Sequence, residues 1–78
     1  MAQTLSLDDI NPGDTAIVTS LNSSGSMRRR LLDIGLINGT HVECVGRSPM
    51  NDPSAFLIRG AVIALRSEDC KNILIKLF

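Results

Sequence analysis

One histidine, two cysteines and a few acids are the residues with which this 78-residue chain could do chemistry. His41, Cys44, Cys70, Asp52, Glu68 and Asp69 are all metal-ligand types, and a transition-metal site needs several of them to converge. Their spacing argues against convergence. His41 and Cys44 lie three apart in a stretch that alternates like a strand, which puts them on opposite faces. Cys44 shares its face with Val42 and is read as a small packed hydrophobe. Cys70, beside Glu68 and Asp69 at the edge of a turn, is read as packed too. Catalysis fares no better, because a nucleophile needs a base within hydrogen-bond reach and His41 has no serine or cysteine neighbour on its own face. Neither GxxxxGK[ST] nor GxGxxG occurs, so the glycines read as turn makers and not as a phosphate cradle. No catalytic, cofactor-binding or metal-ligating residue is expected.

Binding is the remaining chemistry, and the one basic run, Arg28-Arg29-Arg30, is its first candidate. Ser26 is placed to cap a helix there. Met27, Leu31 and Ile34 recur at helical spacing, and Gly35 follows them where a left-handed residue can close the helix and fold Leu36 back onto it. A helix of about two turns is not stable alone, so its apolar stripe must press on something larger. Arg30 borders the stripe, whereas Arg28 and Arg29 point away with Asp33, and Leu32 lies off the stripe close to Arg28. A leucine beside two arginines is a docking candidate; the plain alternative is a solvated helix face. Three charges without a recognition helix would hold DNA only weakly, and there is no aromatic platform for single strands.

The larger body has to come from short apolar runs separated by turn residues. Leu5–Ile10 followed by Asn-Pro-Gly-Asp reads as a lead-in and turn. Strands are expected over Thr15–Leu21, Thr40–Val45, Ala55–Ile58, Ala61–Leu65 and Ile73–Leu77, with one helical turn at Ser67–Cys70. About five short, regularly spaced strands favour a small barrel, which hides its edges by closing. Arg59-Gly60 makes a two-residue hairpin turn, pairing Phe56 with Ile63 on one face and Leu57 with Val62 on the other. Ala55 and Ala64 make the second face apolar as well. Either a loop or the C-terminal Leu77-Phe78 covers it, or a second copy or another protein does. A bulge at Arg59, which disfavours positive φ, would shift the register and swap the faces.

Composition bounds the rest. A chain of this length makes one small domain, 1–78, that buries roughly 60% of its unfolded surface. With two Phe and no Trp or Tyr its core must be aliphatic, and eight basic residues cancel eight acidic ones. Two unpaired cysteines suit a reduced compartment. The N-terminal sequence lacks the basic start and apolar run of a signal peptide, and no stretch approaches the roughly 20 apolar residues of a membrane span.

Arg30-Leu-Leu-Asp-Ile-Gly-Leu-Ile-Asn-Gly-Thr40, then Val42, Arg47-Ser-Pro, Asp52-Pro53, Ile58-Arg-Gly60 and Ala64-Leu-Arg66 resemble, in order and spacing, the FeoA family of ferrous iron transport. The resemblance runs from about Leu5 to Ile75. It implies a mainly β, SH3-like barrel with one or two short helices, and a non-catalytic accessory role beside FeoB, a membrane GTP-binding transporter of Fe2+. It further implies a cytoplasmic protein recruited to the inner face of the membrane by that partner, without insertion of its own and without nucleic acid. Fe2+ is then the transported ion and not a tightly held ligand. A similar domain ends some metal-dependent repressors, so a free-standing regulatory domain is the alternative. Asn38, Cys44 and Ala61-Val62 depart from the family's usual residues, and Val62 should point outward. Arg28, Arg29, Leu32, Leu57 and Val62 are the expected partner-binding residues, with weak self-association as a further expectation.

Overall fold

Alternation decides which side of each strand is buried. Ala16 and Val18, Val42 and Cys44, Phe56 and Ile58, and Ile73 and Ile75 are all 5% exposed or less, while the residues between them are exposed or half-buried. In the computed structural model, which describes residues 5–48, 50 and 52–77, these runs form an antiparallel sheet. Its strands are β1 (Leu5–Ser6), β2 (Thr15–Leu21), β3 (His41–Arg47), β4 (Ser54–Ile58), β5 (Ala61–Leu65) and β6 (Ile73–Leu77). Helix α1 (Gly25–Ile34) joins β2 to β3, and the single turn α2 (Ser67–Cys70) joins β5 to β6. Spatial order is β1-β6-β2-β3-β4-β5.

Two irregularities bend the sheet round its core. The β2–β6 register shifts between Val18 and Ser20, and the β3–β4 register shifts between Cys44 and Gly46. Each extra residue strengthens the local twist and bends its strand. Phe56, Leu31, Leu36, Leu65 and Leu7 fill the interior, and Met27 and Ile34 pack against it from α1. The mainly β, SH3-like architecture expected from the sequence is the one observed.

Four local expectations change. Leu5–Ser6 is a strand and not merely a lead-in, because Leu5 pairs with Ile75 and Ser6 with Leu74. β3 runs on to Arg47, because the shift after Cys44 lets Gly46 and Arg47 pair with Ala55 and Ser54. The helix starts at Gly25 and is ten residues long, with Ser24 at the N-cap and Ser26 inside the helix. Ser24 offers no side-chain capping bond; the first turn closes through Arg28 N–H donating to Ser24 O at 3.4 Å. Finally, among the described residues the ladder does not run from β5 round to β1, so both remain sheet edges.

Candidate interaction surface

The stripe of α1 faces the core, which turns its other side to solvent. Arg28, Arg29, Leu32 and Asp33 line one open cleft of about 400 Å³ with Gly25. A neighbouring cleft of about 340 Å³ shares Arg28 and Leu32 and adds Leu36, Ile37 and the end of β2. Arg28 is tethered there, its guanidinium donating to Leu21 O at 3.3 Å. Arg28, Arg29 and Leu32 are therefore brought together as the helical angles suggest. Ile37, 48% exposed, joins them unforeseen. Its orientation is set by Thr40, whose hydroxyl accepts from Ile37 N–H at 3.2 Å and donates to Gly35 O at 2.8 Å. The available signal was an apolar residue just ahead of Asn38-Gly39.

The hairpin supplies the second surface. Arg59 and Gly60 take φ of 50° and 85°, a two-residue turn without a bulge, so Leu57 faces Val62 and Phe56 faces Ile63. Phe56 is buried, whereas Leu57 is 37% and Val62 65% exposed. Leu77 is itself exposed on β6, and Phe78 lies outside the described residues. Leu57 also borders an open cleft of about 300 Å³ with Thr15, His41, Glu43 and Arg59. The Arg59 stem lies over Gly35, where a Cβ would come within 2.5 Å of its Cδ. Hairpin tip and helix end thus meet.

Cys44 is fully buried, on the face of β3 opposite to exposed His41. Among the described residues no group of three or more His, Cys, Asp or Glu could hold a metal ion. Cys70 is also buried, and its thiol pKa is pushed up to about 12, first by burial and then by Asp8 and Asp69, against a lowering effect of Arg47. Since the thiolate is the reactive form, Cys70 should stay unmodified by Ellman's reagent in the native protein at pH 8 and react on unfolding. Rapid native labelling at Cys70 would contradict this. The raised pKa also has a stability sign. Below the unfolded thiol's value near 9.0 its contribution is complete, and it is lost as the pH rises from there towards 12.

Arg47 and Asp52 serve architecture. Arg47 donates to the carbonyls of Asp8 and Ile10. Asp52 accepts from Ser67 N–H at 2.8 Å, and the Ser67 hydroxyl donates to Asp8 at the same distance. Ser67 thus pins α2 to the turn that follows β1 and to the loop ahead of β4, and Arg47 ties the end of β3 to that same turn.

Residues 5–77 match the family model of the FeoA domain. The chain belongs to the FeoA family. A curated FeoA-type relative, the Fe(2+) transport protein A/Fe(2+) transporter FeoB fusion protein of Porphyromonas gingivalis, is 30% identical over 91% of this chain. The chain spans only 8% of that fusion protein. The solved FeoA-like protein from Clostridium acetobutylicum is 28% identical, with a TM-score of 0.90 over 100% of this chain and 91% of its own. A manganese-dependent transcriptional repressor shares the fold at a TM-score of 0.87 over 100% of this chain and 38% of its own. At 20% identity that last likeness concerns the fold alone. No helix among the described residues is long and apolar enough to cross a membrane.

Proposed function

We propose that this FeoA-family chain is a non-catalytic accessory of Fe2+ import that docks on a FeoB-type membrane transporter from the cytoplasmic side. The observation that carries this reading is the fusion of a similar domain to such a transporter in one polypeptide. Fusion replaces a bimolecular encounter by an intramolecular one, an arrangement that suits two modules working in contact. The docking surface is the outer side of α1, where Leu32 and Ile37 supply apolar area and Arg28 and Arg29 supply charge. Leu57 and Val62 on the hairpin form a second contact. Docking acts on the transporter by favouring the conformation that offers better contacts, a population shift that needs no chemistry from this chain. Fe2+ is cargo of the partner in this scheme. The repressor likeness concerns fold only and supplies no regulatory residue, so the transporter reading is preferred.

Co-purification with the detergent-solubilised transporter tests it. Leu32→Glu buries a charge in the contact and should weaken retention at least about tenfold, the equivalent of 1.4 kcal/mol, while the circular dichroism melt stays unchanged. Leu57→Glu reports on the hairpin in the same assay. Full retention of both folded variants would remove these surfaces, and no retention of the unmodified chain would remove the docking itself.

A further inference from the structure

A sheet edge carries backbone groups without ladder partners, and proteins blunt such edges by shortness, proline, charge or cover. Here β1 is blunted by being two residues long. β5 has five residues, Ala61-Val-Ile-Ala-Leu65, none of them charged or proline, and Ala61, Val62 and Ala64 are exposed. Because a two-residue turn closes on a pair that exchanges both bonds, Ile58 with Ala61, Phe56 with Ile63 and Ser54 with Leu65 are the bonded pairs. Leu57–Val62 and Ala55–Ala64 are the non-bonded pairs between them. The N–H and C=O groups of Val62 and Ala64 therefore point away from β4, into an edge that no strand pairs with among the described residues.

We propose that β5 pairs antiparallel with β5 of a second copy, about a two-fold axis through Ile63. In that register Val62 lies opposite the second copy's Ala64, and Ala64 opposite its Val62. Four hydrogen bonds then use the outward groups of both strands. A shift by one residue would aim the outward groups of one strand at the inward groups of the other. Centring the axis on Val62 would call on Gly60 of the turn. Centring it on Ala64 would call on Arg66, whose carbonyl already accepts from the N–H groups of Asp69 and Cys70. The axis through Ile63 is thus the symmetric register that keeps all its bonds inside β5. It also sets a large side chain against a small one on the outer face, and brings Arg66 opposite Gly60 and Arg59 opposite Ser67, so no like charges meet. A formal net charge of zero adds no long-range repulsion between copies. The paired sheets place the two Leu57–Val62 patches side by side.

So short a contact makes a weak dimer, with a dissociation constant on the order of 100 µM. Sedimentation equilibrium from about 10 µM to about 1 mM should show the mass rising towards that of a dimer. Over the same range the Val62 and Ala64 amides should exchange with solvent about fourfold more slowly, as should amides that exchange only on global unfolding, while amides opened by local fluctuation away from β5 keep their rates. Ala64→Pro removes an outward N–H without removing a β4 ladder bond, and should give a folded monomer throughout. Val62→Lys, a charge on the edge, is the second variant should the proline variant not fold. A wild-type protein that stays monomeric at the highest concentration overturns the proposal. So does association that leaves Val62 and Ala64 exchange unchanged, or a folded edge variant that associates like wild type.

Discussion

Phe56→Ala is expected to cost about 4 kcal/mol and to lower the melting temperature by roughly 20 °C, the largest loss from any single truncation in this chain. Phe56 is the largest fully buried side chain among the described residues. It sits on β4 with Cys44 on one side and Ile63 on the other, in the middle of the bent sheet. Its neighbours are aliphatic side chains held on strands, and they cannot collapse far into the space a phenyl ring leaves. The total stability of a domain of this size is about 4–12 kcal/mol, so the loss approaches the lower end of the whole. Thermal and urea melts followed by circular dichroism measure it. Phe56→Leu should lose less than about half as much, because it retains most of the buried area. A loss under about 1 kcal/mol for Phe56→Ala would mean that the core repacks freely, against the packing described above.

What the sequence disclosed and what it withheld divide along a physical line. Thr15–Leu21, Ala61–Leu65 and Ile73–Leu77, short apolar or β-branched runs bounded by turn residues, have the boundaries expected of them. Leu5–Ser6 carries too few residues to show a period, and is a strand only because the far end of the chain lies beside it. The extension of β3 depends on a register shift, which alternation in one strand cannot reveal. In Ser23-Ser24-Gly25-Ser26 several residues could begin a helix, and with no side-chain bond to choose among them the helix begins two residues ahead of the start that Ser26 as cap implies. Arg28, Arg29 and Leu32 were legible as a group because helical geometry alone relates them. Ile37 was not, since a turn residue takes its direction from bonds such as those of Thr40. The open edge at β5 was hidden for the same reason, because whether a sheet closes depends on all of its strands.

Gly35→Ala should be the most costly addition of a single methyl group, at about 2–3 kcal/mol, and the cost has two separable parts. The first is conformational. Gly35 takes φ of 106° at the end of α1, and it donates to Leu32 O at 3.0 Å while Leu36 N–H donates to Leu31 O at 3.1 Å. These two bonds close the helix and drop Leu36 into the core, and an alanine can hold them only in a strained backbone. The second part is steric. An added Cβ would lie 2.5 Å from Cδ of Arg59, whose own backbone is fixed at the hairpin turn. Gly39→Ala isolates the first part, for Gly39 takes φ of 95° with nothing within 4 Å of an added Cβ. It should therefore cost about 1–2 kcal/mol, less than Gly35→Ala. Combining Gly35→Ala with Arg59→Ala should recover part of the difference, because the truncated side chain no longer occupies the Cβ position. Equal melts for Gly35→Ala and Gly39→Ala would show that Arg59 yields without cost. An intact difference shows that the Arg59 side chain does not swing clear of Gly35 without cost, and so that the hairpin tip packs on the end of the helix that carries Leu32.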